Sequence, residues 1–424
     1  MKRLKAIVIG AGGRGMGYAK IMAAAPEKYD IVAVADPIKE RCKVIGELFG
    51  ISEDMYFDSW EPLLEKGKIA DFAIIATNDR DHFYPTMAAI EAGYDILLEK
   101  PVSSLPSECK IISEHAKKYG SKVVVCHVLR YTPLYSKLKE LLESGIIGDI
   151  VSVNHEECIW NLHFCHSFVR GIHSNSIENS TLLLQKCCHD MDIIQWLIGK
   201  KCKKVQSFGS LNYFCEKNAP EGAADYCLND CPHYDTCMYS VKNAYLTDDI
   251  KNPFKDGCTS TPNPTYEEKE KSLRTSKYGR CAFKSNNDVC DRQTVNLLFE
   301  DNITATFSFT AFNRSNRWTH ITGTKGELHA NLTGYVPIEH FDLVTREKNL
   351  IPVNPKDGAI GGHGGGDQGI IDALYDYMLT GKVSSQISEI GISCDNHMIV
   401  FAAEKSRLEG TVVDLDEYIS QISC

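Results

Sequence analysis

The run Ala6-Ile7-Val8-Ile9-Gly10-Ala11-Gly12-Gly13-Arg14-Gly15 decides the fold, because an apolar, strand-like segment breaks into Gly-x-Gly-x-x-Gly. Gly10 permits the sharp turn, Gly12 lets the backbone approach a pyrophosphate, and Gly15 lets the next helix pack close to the strand with its N–H groups facing the anion. Gly13 and Arg14 complete the expected cofactor loop. Glycines also make ordinary loops, so the context carries the reading. A second buried-type strand, Ile31–Ala35, ends in Asp36, about the ~20 residues beyond the glycines at which a carboxylate meets an adenosine ribose. Asp36 would repel a 2′-phosphate, so NAD is expected in preference to NADP.

Outward from this turn, residues 1 to about 125 alternate strand and helix. The strands are expected at Ala6–Ile9, Ile31–Ala35, Phe72–Ala76, Ile96–Leu98 and Val123–Val125, with amphipathic stretches at Lys39–Leu48, Tyr84–Ala92 and Pro106–Tyr119 between them. That alternation predicts an α/β fold, a Rossmann-type doubly wound parallel sheet. Its third strand runs into Thr77-Asn78-Asp79-Arg80-Asp81-His82, a polar loop at the carboxyl edge where such sheets bind ligands. Thr77, Asn78 and His82 are therefore expected at the cofactor.

At 424 residues the chain exceeds one usual domain. We expect an NAD-binding domain at 1–128 and a substrate and oligomerisation domain of α+β type at 129–424. A net charge of −10 gives nucleic acid no attraction, and Lys200, Lys201, Lys203 and Lys204 only follow the end of a helix. No apolar run approaches the ~18 residues of a membrane span. No cleavable leader is read, so cytoplasmic residence is expected, and the 17 cysteines read as thiols or metal ligands rather than a disulfide framework.

Past residue 150 the pattern changes. Val151–Glu156 reads as a strand and Thr181–Ile198 as one helix; Thr294–Phe299, Thr304–Phe309, His320–Gly323 and Gly326–Asn331 alternate as in an antiparallel sheet with one solvated face. Helices are expected at about Gly369–Leu379 and Gly391–Leu408, before a last strand at Val412–Leu415. The tract from about 212 to 288 is rich in Asn, Pro, Lys and Cys, and is expected to be an insertion organised by something other than an apolar core.

The fourth strand runs into Glu99-Lys100-Pro101, and the predicted 181–198 helix carries His189-x-x-Asp192. With Gly10–Gly15 and Asp36, these motifs resemble the glucose–fructose oxidoreductase, inositol dehydrogenase and rhizopine catabolism superfamily of NAD(P)-dependent sugar oxidoreductases. The resemblance spans essentially the whole chain. It implies a large, mostly antiparallel open-faced sheet in the second domain, a carbohydrate substrate and a homo-oligomer, dimer or tetramer. It also implies that Lys100, beside Glu99, hydrogen-bonds the reacting oxygen, and that His189 is the acid/base, a role suited to imidazole near neutrality. The family pattern Asp-x-Gly-x-His-x-x-Asp is altered here. Gln185 replaces the first acid and Cys187 the glycine, so Lys186 or Asp190 is expected to tune His189 instead.

Other candidates are His127, Arg130 and Tyr131 in Cys126-His-Val-Leu-Arg-Tyr-x-Pro133, and His363 in the loop Gly361–Asp367. Arg130 is read either as a cofactor contact or as a tie between domains; His127, Tyr131, Gln185, Asp190 and His363 are read as substrate-facing. Within the insertion, Cys227-x3-Cys231-Pro-x4-Cys237 and the distant Cys281 have the donors of a tetrahedral thiolate site, with Cys215, Cys258 and Cys290 as alternative fourth ligands. Zinc is expected there, with an iron–sulfur cluster as the alternative that uses the same donors. Asn218–Ala223 before these cysteines resembles a subgroup of the same superfamily. The expected activity is hydride transfer between NAD and a hydroxyl carbon of a sugar, glycoside or polyol. The alternative is a redox-neutral, NAD-dependent glycosidase that oxidises, eliminates, hydrates and re-reduces.

Overall fold

In a computed structural model, which describes residues 2–259, 261, 263–333, 336–354 and 362–423, the N-terminal segment to about residue 125 forms one parallel sheet. Its strands are β1 (Leu4–Ile9), β2 (Tyr29–Ala35), β3 (Tyr56–Phe57), β4 (Phe72–Ile75), β5 (Asp95–Leu98) and β6 (Val123–Val125), in the order β3-β2-β1-β4-β5-β6. Apolar residues at consecutive positions suit strands covered on both faces. Ala6, Val8, Ile74 and Leu97 enter one core layer, while Ile7, Ile9, Ile75 and Leu98 enter the other. The first layer is completed by Ile370, Ile371 and Leu374 of the helix Gly366–Thr380. Tyr29, on β2, donates its hydroxyl to Ile371 O at 2.6 Å. The two-residue β3 escaped prediction because no period is visible over two residues.

The second sheet has nine strands: β7 (Ile150–Trp160), β8 (Cys202–Ser210), β9 (Arg292–Phe299), β10 (Thr304–Asn313), β11 (Asn316–Gly323), β12 (Gly326–Asn331), β13 (Ile338–Asp342), β14 (Lys348–Ile351) and β15 (Val413–Asp414). Their order is β14-β13-β12-β11-β7-β10-β9-β8-β15, antiparallel except for the β7–β10 pair. One face buries Val205, Val295, Phe307, Ile321 and Leu328, with the helices Cys188–Ile198 and Ile390–Glu409 packed against the sheet. The other is open, and exposes Phe208 and Trp318. The alternation read from the sequence therefore corresponds to one covered and one open face.

The expected single helix 181–198 is two. Leu182–Gln185 forms a first turn, Cys187 leaves helical geometry at φ −95 and ψ 5, and Cys188–Ile198 follows. The reason is local: the Gln185 carbonyl, which a continuous helix would bond to the His189 N–H, accepts from Lys100 Nζ at 2.7 Å.

The insertion also departs from expectation, because it does have apolar cores. Val241, Ala244, Tyr245, Cys258 and Leu273 form a small one of their own, and Phe214, Tyr239, Ala282 and Phe283 join the main core. Single aromatic residues scattered among polar ones supply this burial, and they leave no period to read. No described helix is long and apolar enough to cross a membrane.

Candidate active site

The turn after β1 builds a cradle from backbone. Gly10 has φ +93, and a Cβ there would lie 2.5 Å from Ala76 O; a Cβ on Gly15 would lie 2.0 Å from Gly10 O. Gly12 and Gly13 meet nothing within 4 Å of where a Cβ would be, which leaves the start of the helix Gly13–Ala23 open to a ligand. A cavity of about 410 Å³ follows this edge, lined among others by Gly10, Gly12, Asp36, Trp60, Thr77 and Asn78. Thr77 Oγ1 is buried there without a partner. Asp36 is held in place by the N–H groups of Ala11 at 2.8 Å and Ile38 at 2.9 Å. Arg41 Nη1 stands 3.6 Å from its carboxylate. A dinucleotide fits these residues: backbone donors for the phosphates, a carboxylate for the ribose and an unpaired hydroxyl at the cavity wall.

Arg14 and Glu99 face each other instead of the cavity's phosphate end. Arg14 Nε donates to Glu99 Oε1 at 2.6 Å, and Nη1 and Nη2 donate to Asp367 at 3.1 and 3.0 Å. Tyr18 completes the group through its hydroxyl, 2.6 Å from Glu99. Burial opposes ionisation of Glu99, but the Arg14 guanidinium outweighs it and holds the carboxyl below its usual range. This cluster locks the glycine turn to the end of β5 and to the start of the helix Gly366–Thr380. His82 is likewise a brace, with Nδ1 2.7 Å from Pro101 O and Nε2 3.2 Å from Thr77 O. Asn78 Nδ2 is 3.4 Å from Asp81.

Lys100 extends from the end of β5 and meets the broken helix at Gln185 O. The Gln185 side chain lies 3.3 Å from His173 Nε2. His189 is buried, its Nδ1 without a partner. Burial, reinforced by the nearby Lys100 charge, holds its imidazole well below the usual histidine range, so His189 is neutral. Around it stand His127 at 5.8 Å and His363 at 5.7 Å between ring centroids. His363 is anchored by Asp367 at 3.1 Å.

Neither residue expected to tune His189 bonds to it. Lys186 pairs with Glu157 at 3.4 Å. Asp190 is fully enclosed, with Oδ1 committed to Arg317 at 2.7 Å and His155 Nε2 at 2.9 Å and Oδ2 buried without a partner, so it presents no exposed surface to a substrate in this arrangement. Arg130 also turns inward: its guanidinium meets Asp192 at 2.7 and 2.5 Å and lies over Trp196, so it ties the β6 junction to the helix Cys188–Ile198 and does not face the cofactor cavity. His127 has no exposed surface; it packs between His189 and His397 and backs the His189 ring. Burial pushes its imidazole down to about 4. Tyr131 lines a separate cavity of about 630 Å³ with Gly369, Asp372 and Lys382, away from Lys100 and His189.

Comparison with known proteins places this geometry. The model described as "Oxidoreductase family, NAD-binding Rossmann fold" matches residues 4–127, and "GFO/IDH/MocA C-terminal domain" matches residues 135–229. The chain belongs to the Gfo/Idh/MocA oxidoreductase family. It is 25% identical over 367 residues to the Bacillus subtilis protein YteT, named as an oxidoreductase, covering 82% of each chain. It is 27% identical over 221 residues to scyllo-inositol 2-dehydrogenase (NAD(+)) of the same organism, covering 51% of this chain and 60% of that one. An oxidoreductase from Agrobacterium radiobacter, solved with NAD+, L-tartaric acid and magnesium, shares the fold at a TM-score of 0.69 and 16% identity, over 98% of this chain and 100% of that one. The protein is thus an NAD-binding oxidoreductase of this family.

Relative to the family pattern, the unforeseen parts are side chains that act at long range. Asp367, Tyr18, Arg41, Arg317 and Glu157 carry no motif; Asp367 alone had a signal, as the acid closing a glycine loop. Arg170 is the most isolated case. It is fully buried, and donates to Arg280 O and Tyr239 O at 2.7 Å each, to Cys165 Sγ at 3.3 Å and to Cys227 Sγ at 3.8 Å. Three of the four predicted cysteines, Cys227, Cys237 and Cys281, are close enough to Arg170 to feel its charge: a Tyr226–Arg280 bridge joins the segments of Cys227 and Cys281, and the Cys237 thiol also feels Cys227 and Cys231. Their sulfurs do not form a set of three within 4.8 Å of one another.

Proposed function

We propose that this family member is an NAD-dependent dehydrogenase of a sugar or polyol hydroxyl. The observation that carries the reading is that Lys100, just past the carboxyl end of β5, reaches Gln185 O at the break in the helix, one turn before the buried, neutral His189. NAD, when bound, accepts a hydride at its nicotinamide ring. Lys100 holds and polarises the reacting oxygen, and His189, uncharged, takes the hydroxyl proton. Lys186 lends positive charge near His163 and His363 and positions polar substrate groups. Asp36 selects NAD over NADP at the ribose. The inositol dehydrogenase relatives favour net oxidation over the redox-neutral glycosidase. The chain spans about half to three-fifths of those relatives' length, so the polyol is part of this proposal. Assay of a polyol and sugar panel with NAD tests it: one NADH per substrate oxidised is expected, and glycoside cleavage without net NADH would overturn it.

For the insertion we propose a thiolate-bound metal, zinc or an iron–sulfur cluster, held by Cys227, Cys231, Cys237 and Cys281. The approach of Cys227, Cys237 and Cys281 to Arg170 supports it, since a buried guanidinium with no bonded carboxylate among the described residues suits a negatively charged thiolate centre. The side chains must close in to reach ligand distance. The domain boundary near 128–129, the homo-oligomer and cytoplasmic residence also belong to this reading.

A further inference from the structure

The open face of the nine-stranded sheet carries a cluster that the dehydrogenase chemistry does not use. In the β11–β12 register His320 lies directly opposite His329. Glu327 precedes His329 by two residues and so shares its face. The two imidazoles stack at 3.8 Å between centroids with 16° between planes. Glu327 joins them: its Oε2 is 3.1 Å from His320 Nε2, and its Oε1 is 3.7 Å from His329 Nε2. One donor atom from each residue lies within 4.8 Å of the other two, the only such set of three His, Cys, Asp or Glu among the described residues. All three side chains are partly exposed, at 31%, 34% and 47%, and a cavity of about 250 Å³ adjoins them, lined by Asn154, Thr306 and Trp318.

We propose that His320, Glu327 and His329 form a binding site for a divalent cation of the zinc class. Two imidazole nitrogens and one carboxylate are the donors that borderline ions of this kind prefer, and three protein ligands leave a position for water or an outside donor. The backbone prepares the site. Both strands are internal to the sheet, β11 between β7 and β12 and β12 between β11 and β13, so ladders on each side fix the opposed positions before any ion arrives. The site shares no residue with the cofactor cavity or the cysteine cluster, and stands or falls independently of both.

The test is titration of the full-length protein with Co2+, read by its visible absorption and by calorimetry. Imidazole and carboxylate ligation is expected to give weak ligand-field bands, whereas thiolate ligation adds intense sulfur-to-metal charge transfer, which separates this site from the insertion. His320→Ala with His329→Ala, and separately Glu327→Gln, should weaken the first class of binding by more than the roughly 10–100-fold that loss of an outer-shell partner costs. NAD binding, unchanged in these variants, certifies that they are folded. Absence of such binding to the unaltered protein, or binding that persists unchanged in the double variant, would overturn the proposal.

Discussion

The glycine turn after β1 and the cysteine-rich insertion are both irregular, polar segments, yet they are built on opposite principles. In the turn, each residue acts through its own backbone: Gly10 by its φ of +93, Gly15 by lacking a Cβ where Gly10 O sits, Gly12 and Gly13 by leaving space. In the insertion, order comes from contacts between residues distant in sequence, with Arg170 reaching Cys227, Tyr239 and Arg280. A locally built element fails when one backbone position is obstructed; a distributed one fails when its hub is removed.

That contrast can be broken by substitution. Gly15→Ala should have the largest effect, because its Cβ meets backbone that cannot rotate away: about 3 kcal/mol of destabilisation in the first domain and loss of NAD binding, measured by denaturation and titration. Arg170→Met keeps volume but leaves the Tyr239 and Arg280 carbonyls without donors, and should cost about 2–3 kcal/mol while NAD affinity is retained. Equal loss of NAD binding in both variants would break the comparison. Asp36→Ala should weaken NAD binding by about tenfold, on the order of one charge-assisted hydrogen bond, and narrow the preference over NADP. The smallest effect on the dinucleotide domain is expected from Cys231→Ser, which should remove bound metal by elemental analysis and open the insertion to proteolysis. A metal-free unaltered protein would contradict the thiolate centre.

The parallel sheet was legible because its strands are continuous apolar runs and its turn is spelled by glycines. Lys100 and His189 were legible through family motifs, but their meeting was not: the helix break that joins Lys100 to Gln185 arises from a tertiary hydrogen bond that overrides helical period. Arg130 left two readings open in sequence, and the choice rests on Asp192, which a sequence pattern cannot place opposite it. The cysteines were visible as donors, while the aromatic residues that give the insertion its cores were too scattered to register.

Acid should expose the buried histidines. Burial lowers His127 to about 4 and His397 to about 3, both below the ~6.5 of an unfolded chain. The unfolded state therefore binds more protons between those values, so stability falls as pH drops through about 6.5 toward 4. A stability that is flat in urea titrations across that window would contradict neutral burial of these rings.

The central claim is that Lys100 and His189 perform the proton and oxygen chemistry of a hydride transfer. The most direct measurement is turnover, with NAD and the polyol whose oxidation it supports, in Lys100→Met and His189→Ala, alongside NAD affinity in each. The account predicts that each variant loses about 10²–10⁴-fold in turnover with NAD affinity within a few-fold of the unaltered protein. Near-normal turnover in His189→Ala would contradict it and move the proton to another group.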